Sequence, residues 1–579
     1  MSGVDVVTAE IVRNGFTSAA HEMGRTLCRT AYNPLLYDVQ DYGLGIVSAE
    51  GRLWAEAPGV TLFVGVLSDT IKTGLDRHGA DGFADGDVLI ANDPYLTGTH
   101  ISDTSVYTPI FADGQLVAFA VATAHWADIG GKVPGGWCPD STDVYQEGIC
   151  FSHEKLVAGG VPNDALWSVI MNNVRYPTTV RGDLEAKIAA CRQGALRVQA
   201  LCAKHGVERV REAMDLSIER TDAAIRRRIA ELPDGTYGAQ LVMDHDGVNK
   251  ADHYTLALQI TVAGDRIRVS FDGTSRTVGG PVNIPAMGTR SAVRAALKGF
   301  LSPTEPANEG DFLALDFDLP PGLVVTPERP APVDSYGYAA VALNELTVRA
   351  LSQAVPERCP AGGGQLFGVF LFRVDPRDGA PFILIDPMDV GNGGRPYEDG
   401  PTMMFLGNGD VPNTPVEVAE NRYPDVRVAR FGYLPENGGH GRFRGGLGAR
   451  RDYEIVGNGV YMQTAIENVH DPIAKGVGGG TDGAPSVIVV NPGTDRESRV
   501  VERASFFGPL GPGDVLSVRS GGGGGWGAPR EREAERVRDD VRDGLVSADT
   551  AARVYGVAVV GRDGGWAVDE AETGRLRAG

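Results

Sequence analysis

Between residues 43 and 160 the sequence consists of short apolar runs that are repeatedly interrupted by Gly, Pro and Asp. The runs are YGLGIVS, DVLIAND, SVYTPIF and QLVAFAVATAHW. Apolar stretches of this length bounded by turn residues are typical of buried strands, whereas helices show longer stretches with a different apolar spacing. The pattern therefore predicts that a sheet forms the core of the amino-terminal region.

Helical periodicity flanks this strand region on both sides. Residues 8–31 space their apolar side chains at helical intervals, and residues 164–175 and 181–231 return to that pattern. A Leu-Pro-Asp-Gly sequence at 232–235 is a typical helix stop. Strands and helices together predict an amino-terminal α/β domain at residues 1–232.

Further domains are expected, because a chain of 579 residues is longer than one hydrophobic core can organise. Hairpin-like segments joined by Asp-Gly or Gly-Asp turns, followed by a helix, predict an antiparallel β-rich domain at 233–345. Strands with long Gly-rich connections predict a Gly-rich β domain at 346–525, and a charged helix predicts a helical tail at 526–579. The predicted fold class is mixed α/β (α+β), with several domains and mixed sheets.

The composition argues against several classes of partner and compartment. A formal net charge of −21 disfavours nucleic acid and anionic membranes as partners, because both require clustered Lys and Arg. No basic segment followed by an apolar one opens the sequence, and charges interrupt every apolar run before membrane-spanning length. The six cysteines form no CxxC pair, which argues against a disulfide scaffold or a thiolate zinc site. We expect a cytoplasmic protein with no nucleic-acid or membrane partner.

Residues that can bind a metal follow two of the apolar runs. VLIANDPYLTGTHISD ends with Asp93, His100 and Asp103, and LVAFAVATAHWADIGG ends with His125 and Asp128. If the two strands are neighbours, their ends bring two imidazoles and a carboxylate together. Imidazole and carboxylate without thiolate suit Mn²⁺, Fe²⁺ or Zn²⁺. A single His at a strand end is more often a hydrogen-bonding loop residue, and the spacing is not specific, so both interpretations stay open on this evidence.

Other catalytic motifs are missing from the sequence or better explained by structure. No GxxxxGK[ST] segment is present, so the chain has no evident P-loop, and no GxSxG elbow indicates a nucleophilic serine. Gly522, Gly524 and Gly527 form a GxGxxG pattern. No acidic residue at the end of a following strand and no second βαβ unit accompany it, so we interpret these glycines as structural.

Motifs spread along nearly the whole chain resemble the hydantoinase B/oxoprolinase family. They are TAEIVRNGFTSAAHEMGRTLCRTAYNP, NDPYLTGTHISD, AHWADIGGKVPGG, DSTDVYQEG, GPVNIPA, RFRGGLGARRDY and GGGGGWGAPRERE. The resemblance implies a mixed α/β subunit that holds a divalent metal (Mn, Zn or Fe) in its amino-terminal domain. It also implies an A-type partner subunit that binds and uses ATP, in an (αβ)2 hetero-oligomer.

The resemblance also implies the site residues. Carried over by position, the metal ligands are Asp41 in YDVQDYGLG, His100, His125 and Asp128. Asp103 is expected to assist catalysis by orienting a ligand imidazole, as second-layer carboxylates do.

The sequence departs from the common family pattern at two places. Trp126 stands where many members have a second His, and LFVGV at 62–66 replaces a PVHLG-like segment. Trp126 and Phe63 are therefore predicted to contact the substrate and to make its pocket more apolar.

Three functions are compatible with these features. The first is ATP-dependent hydrolysis of a cyclic amide or imide such as a hydantoin, 5-oxoproline or a lactam. The second is a ketone carboxylase of the acetone or acetophenone type, since such subunits belong to the same wider group. The third is a non-catalytic scaffold for the ATP-using partner, which would bind no metal.

Overall fold

A computed structural model describes residues 4–63, 65–366, 368–375, 377–404, 414–467, 473–500, 504–562 and 565–578. The chain forms two compact units, one of residues 1–241 with 245–350 and one of residues 242–244 with 351–579. Both combine helices with sheets, which confirms the predicted mixed α/β, multi-domain fold class. None of the helices in the described ranges has the length and apolar character needed to cross a bilayer.

The first unit contains nine α-helices and eleven strands in the described residues, besides short 3-10 turns. Its helices are α1 (Val6–Thr30), α2 (Pro34–Tyr37), α3 (Leu67–His78), α4 (Pro94–Thr97), α5 (Asp164–Asn173), α6 (Pro177–His205), α7 (Val207–Ile229), α8 (Ala286–Leu301) and α9 (Tyr336–Leu351). Its strands are β1 (Tyr42–Ser48), β2 (Leu53–Glu56), β3 (Val88–Ala91), β4 (Asp103–Ala112), β5 (Gln115–His125), β6 (Ser152–Ala158), β7 (Val161–Pro162), β8 (Gly235–Met243), β9 (Tyr254–Ala263), β10 (Arg266–Ser270) and β11 (Leu315–Phe317).

A seven-stranded antiparallel sheet in the order β2-β1-β5-β4-β3-β6-β7 forms the centre of this unit. The four apolar runs of the sequence correspond to β1, β3, β4 and β5. Because side chains alternate between the two faces of a strand, the small residues Ala118, Ala120, Ala122 and Ala124 of β5 share one face. They pack in one core with buried residues of α1 and α6. The opposite face of β5 carries Thr123 and His125.

The residues at 233–345, except 242–244, pack into the same unit as the amino-terminal sheet. They form a four-stranded sheet in the order β11-β10-β9-β8, with the expected hairpin between β9 and β10, followed by α8 and α9. The Arg290 guanidinium of α8 lies 2.6 Å from the Asp69 carboxylate of α3, and Ser291 donates a hydrogen bond to the carbonyl oxygen of Leu62. These contacts explain why the segments predicted as separate domains at 1–232 and 233–345 form one compact unit.

The second unit contains smaller sheets. Its helices are α10 (Val416–Arg422), α11 (Ala534–Arg542), α12 (Ala548–Arg553) and α13 (Glu570–Ala578). Its strands are β12 (Gly368–Arg373), β13 (Phe382–Asp386), β14 (Val426–Tyr433), β15 (Ala449–Ile455), β16 (Val460–Ala465), β17 (Val487–Val490), β18 (Ser498–Val500), β19 (Ala504–Leu510), β20 (Val515–Arg519), β21 (Val559–Arg562) and β22 (Gly565–Val568). They pair in the orders β13-β12-β16-β19, β14-β15-β20-β17-β18 and β21-β22.

Glycine-rich segments of the second unit lie side by side as extended chains outside the sheets. The Gly523 amide donates to the Gly446 carbonyl at 3.0 Å, and the Gly394 amide donates to the Gly524 carbonyl at 2.8 Å. A Cβ atom on Gly523 would lie 2.0 Å from the carbonyl oxygen of Asn392, so no larger residue fits there. Neighbouring backbone fills the space beside the GxGxxG pattern, in agreement with a structural role for these glycines.

Candidate metal centre

Asp103 and His125 come together because β4 and β5 are antiparallel neighbours. Asp103 begins β4, His125 ends β5, and the two residues are direct register partners. Partners in an antiparallel pair project their side chains on the same face of the sheet. The Oδ1 atom of Asp103 consequently lies 3.2 Å from Nδ1 of His125.

His100 completes a buried three-residue cluster with this pair. It lies in the turn between α4 and β4, and its Nε2 atom is 3.1 Å from Oδ1 of Asp103 and 3.1 Å from Nδ1 of His125. All three residues are buried. Within the described part of the chain, this is the one group of three or more His, Cys, Asp or Glu residues whose ligand atoms all lie within 4.8 Å of one another.

The outer nitrogens of both imidazoles face backbone carbonyls. Nδ1 of His100 donates to the carbonyl oxygen of Asp334 at 2.9 Å, and Nε2 of His125 donates to that of Gly135 at 3.3 Å. An imidazole that donates through its outer nitrogen can offer the lone pair of its other nitrogen to an ion in the cluster. Two lone pairs and a carboxylate oxygen converge, which requires a cation or a proton between them.

Tyr336 holds the other carboxylate oxygen of Asp103. Its hydroxyl group, at the start of α9, donates to Oδ2 at 2.9 Å, which leaves Oδ1 facing the two imidazoles. Burial alone would lower the pKa of His100, but the negative charge of Asp103 and its hydrogen bond raise it well above the usual value. Burial would likewise raise the pKa of Asp103, yet the charge of His100 holds it well below the usual range. The cluster therefore favours positive charge beside Asp103.

The spacing of the three atoms fits a divalent cation. Ligands about 2.1 Å from one ion and roughly 90° to 109° apart lie about 3.0–3.4 Å from each other. The observed separations of 3.1, 3.1 and 3.2 Å fall in this interval. Two His and one carboxylate with hydrogen-bonded outer nitrogens are also the donor set of many catalytic metal sites. The residues present thus fit the metal that the family resemblance implies.

A buried loop supports the His100 side of the cluster. Oε1 of Glu147 accepts hydrogen bonds from the amides of Val333 and Asp334 at 2.9 and 3.0 Å and from the Ser141 hydroxyl at 2.8 Å. Burial, reinforced by the nearby charge of Asp334, raises the pKa of Glu147 to about 8. Glu147 thereby fixes the backbone that carries the carbonyl acceptor of His100.

Aromatic rings and a glycine turn surround the imidazoles. The ring centres of Trp137 and Tyr336 lie 6.0 and 5.2 Å from that of His100. Gly136 has φ +67°, and a Cβ atom there would lie 1.9 Å from Oγ of Ser102 and 3.5 Å from Nε2 of His125. Glycine is needed at this position because it tolerates both the positive φ and the close approach.

Asp41, predicted as a ligand, lies beside the cluster but outside the group of three. Its backbone carbonyl accepts a hydrogen bond from the His125 amide at 3.4 Å. Burial raises the pKa of the Asp41 carboxyl to about 6, while the charge of His125 opposes this shift and that of Asp103 adds to it. Asp41 is thus electrostatically linked to the cluster.

The structure does not bring Asp128 to the cluster. Its buried carboxylate accepts hydrogen bonds from the backbone amide of Arg175 at 2.5 Å and from the Arg175 guanidinium at 2.8 Å. Asp103 instead supplies the carboxylate that the sequence assigned to Asp128. The strand register places Asp103, and not Asp128, beside His125. The spacing of residues along the sequence does not reveal this register.

The two predicted substrate contacts are core residues in the structure. Trp126 is fully buried in a hydrophobic cluster with Ile101 and Ile129, and its ring faces the Lys187 ammonium at 5.4 Å. Phe63 is also buried and packs against Gly43 of β1.

Asp334, Tyr336 and Trp137 were not singled out from the sequence. Tyr336 and Asp103 are 233 positions apart, so no local pattern joins them. The dense polar and aromatic sequence DSYGY at 334–338 was the available signal.

Comparison with known proteins identifies relatives over nearly the whole chain. A sequence model of the hydantoinase B/oxoprolinase family matches residues 5–529. The chain belongs to this family. It is 30% identical to a protein of Pseudomonas sp. strain NS671 described as a candidate B-type subunit of a D-/L-hydantoinase, over 99% of this chain and 98% of the relative. It is also 30% identical to the β-subunit of the caprolactamase of Pseudomonas jessenii, over the full length of both chains.

Two solved structures share the fold of this family member. The crystal structure of the ATP-dependent caprolactamase from Pseudomonas jessenii superposes with a TM-score of 0.89 at 28% identity, covering 100% of both chains. An acetone carboxylase chain in its nucleotide-free structure superposes with a TM-score of 0.90 at 21% identity, covering 99% of this chain and 82% of that chain. The second likeness shows the fold alone.

Proposed function

We propose that the chain is the metal-holding B-type subunit of an ATP-dependent hydrolase of cyclic amides. The observation that carries the proposal is the triangle of ligand atoms from His100, Asp103 and His125, with sides of 3.1, 3.1 and 3.2 Å. We propose Mn²⁺, Zn²⁺ or Fe²⁺ as the ion, because imidazole and carboxylate donors suit these metals. Asp41 is the candidate for a further ligand.

The proposed reaction needs ATP because an unstrained cyclic amide is a poor electrophile. Transfer of the γ-phosphoryl group to the amide oxygen makes the ring carbon a better electrophile and turns the oxygen into part of a phosphate leaving group. A divalent ion in the site would lower the pKa of a water molecule towards ~7 and so supply a nucleophile at neutral pH. Water then adds to the ring carbon, and the ring nitrogen takes up a proton and leaves, so that the ring opens to an acyl phosphate. A second water molecule hydrolyses this acyl phosphate to the carboxylate and free phosphate.

The residues of this chain have distinct tasks in that scheme. His100 and His125 would each offer one ring nitrogen to the ion, because their outer nitrogens donate to backbone carbonyls. Tyr336 orients Asp103 through its hydrogen bond to Oδ2. The rings of Trp137 and Tyr336 pack beside His100, whereas Trp126 and Phe63 are buried outside the three-residue cluster.

An A-type partner subunit is proposed to bind ATP and carry out the phosphorylation, in an (αβ)2 complex. The chain contains no GxxxxGK[ST] segment, and the relatives named above are themselves called subunits. A division of labour between two chains accounts for both observations.

The test is a substrate panel assayed with the full complex. The chain, expressed with its A-type partner, is incubated with ATP and hydantoins, 5-oxoproline, lactams or ketones, with and without ¹⁴C-bicarbonate. Ring-opened product that depends on ATP and on added metal supports the proposal. Incorporation of label into a ketone would instead identify a carboxylase, and unchanged turnover in a metal-free complex would identify a scaffold.

A further inference from the structure

One turn of α6 lies behind the metal-site strands, on the face of the sheet opposite to the cluster. Lys187 in this turn is fully buried, and its Nζ atom donates hydrogen bonds to the carbonyl oxygens of Thr104 and Ala124, each at 2.7 Å. Thr104 directly follows Asp103, and Ala124 directly precedes His125. The two carbonyls belong to register partners, so one ammonium group joins both strands next to the cluster.

Such a buried ammonium group requires compensation. Transfer of an amine from water into a protein core is unfavourable unless its hydrogen bonds and charge are satisfied. Two carbonyl oxygens and the face of the Trp126 ring surround Lys187, and Asp183 lies one helical turn earlier. Withdrawal from water lowers the pKa of Lys187 to about 7, while Asp183 and then Asp103 oppose the shift. An apolar residue would fill this place in the core more simply.

Asp183 extends the contact from α6 to the segment that carries Asp41. Its Oδ1 atom accepts hydrogen bonds from the amides of Tyr32 and Asn33 at 2.7 and 3.0 Å. The side chain of Asn33 caps α2 by accepting from the Leu35 amide at 3.2 Å. The amide of Asp41 in turn donates to the carbonyl of Leu35 at 2.8 Å.

We propose that Lys187, assisted by Asp183, is a positioning residue that sets the separation of Asp103 and His125 and thereby the affinity of the site for its divalent ion. We call this pair the α6 clasp. The inference rests on the proposed metal site. In the described residues the hydrogen bonds of Lys187 go to the backbone of β4 and β5, and those of Asp183 go to the backbone of the segment before Asp41. The charge of Lys187 also acts on Asp103, so the matched comparison below measures both effects.

The experiment compares Lys187→Met with a matched lysine elsewhere in the same sheet. Lys155 of β6 also donates to a carbonyl, that of Gly82 at 2.8 Å, and pairs with Asp87 at 2.8 Å. The full-length wild-type, Lys187→Met and Lys155→Met proteins are freed of metal. Their affinity for Zn²⁺ and Mn²⁺ is measured by competition with a chelator, and the visible absorption of Co²⁺-loaded protein reports the ligand geometry.

We expect Lys187→Met to weaken metal binding by about 10- to 100-fold, the range typical for residues that support metal ligands, and to change the Co²⁺ spectrum. Lys155→Met should lower the unfolding temperature but leave affinity within about 2-fold and the spectrum unchanged. Lys187→Gln keeps one donor and should recover part of the affinity. If Lys187→Met does not fold, Lys187→Gln and Asp183→Asn carry the same comparison.

The possible outcomes distinguish failure of the clasp from failure of the metal site. Wild-type affinity and spectrum in folded Lys187 variants would overturn the clasp while leaving the metal site intact. Equal losses in the Lys187 and Lys155 variants would also overturn it, because the effect would then be general destabilisation. If the wild-type chain binds no ion that depends on His100 and His125, the proposed function fails first, and the clasp fails with it.

Discussion

Asp103 and His125 face each other across the first register pair of β4 and β5, with 3.2 Å between Oδ1 and Nδ1. Their positions are set by two adjacent strands and not by flexible loops. A site built on a sheet can hold ligand atoms at fixed distances before an ion binds, which lowers the ordering cost of binding. The candidate metal site consists of this rigid pair and His100 beside it.

Replacement of either cluster histidine should remove the ion. We expect His100→Ala and His125→Ala to lose bound metal and to lower turnover by more than about 100-fold, because removing a ligand costs more than removing its support. Metal content and ATP-dependent turnover are the measurements. His21→Ala, at an exposed histidine of α1, is the control and should keep both. Metal content equal to wild type in both cluster variants would contradict the site.

Replacement of Asp128 separates the sequence-based ligand set from the structural one. Asp128→Asn should retain the ion, because the carboxylate is bound to Arg175 at 2.8 Å. The variant should lose about 1–3 kcal/mol of stability, as charged hydrogen bonds do when one partner changes. Elemental analysis measures the metal content of the variant, and denaturant unfolding measures its stability. Loss of the ion from a folded Asp128→Asn protein would restore Asp128 as a ligand.

Removal of the Tyr336 hydroxyl should weaken metal binding without removing a ligand. Tyr336→Phe leaves Oδ2 of Asp103 without its donor, and we expect about 10- to 100-fold lower affinity. Tyr453→Phe is the matched control, since Tyr453 donates to the buried carboxylate of Asp386 at 2.6 Å in the second unit. Both variants should lose about 1–3 kcal/mol of stability, but only Tyr336→Phe should change the affinity. Equal affinity for the ion in Tyr336→Phe and Tyr453→Phe would argue against a role for Tyr336 in metal binding.

A side chain at Gly136 should disturb the His125 side of the site. Gly136→Ala adds a clash with Ser102 to the cost of positive φ, which is about 1–2 kcal/mol by itself. Gly114→Ala measures the cost of positive φ alone, because Gly114 has φ +75° and nothing within 4 Å of an added Cβ. We expect the larger loss of stability, and weaker metal binding, in Gly136→Ala. Equal unfolding free energies for Gly136→Ala and Gly114→Ala would show that the turn at Gly136 accommodates a side chain without additional strain.

Glu56 should make stability depend on pH. It lines a cavity of about 360 Å³ together with Lys298, and burial followed by the charge of Asp311 raises its pKa to about 8. The folded state therefore retains a proton that the unfolded state releases near pH 4.5, so this contribution is complete below that pH and is lost as pH rises towards 8. Glu56→Gln should gain unfolding temperature relative to wild type between pH 5 and pH 8.

An exposed residue provides the control for this titration. Glu219→Gln in α7 replaces an exposed carboxylate and should shift the unfolding temperature equally at both pH values. Parallel pH profiles for wild type and Glu56→Gln would show that the Glu56 carboxyl is ionised in the folded protein.

Local sequence patterns were sufficient to predict the strands, the mixed fold class and the two histidines. Apolar runs bounded by Gly, Pro and Asp depend on local chain properties, and β1, β3, β4 and β5 form where these runs lie. His100 and His125 could be chosen because each is close in sequence to one of the strands, and the family motifs supported the choice.

Long-range contacts in the folded chain fix which carboxylate lies beside the histidines and which residues hold the histidines in place. Strand register pairs Asp103 with His125 and leaves Asp128 to Arg175. Tyr336 reaches Asp103 from α9, and Lys187 reaches the same strand from α6. Pairing register and helix docking are set by contacts between residues far apart in the chain, so local periodicity does not contain them.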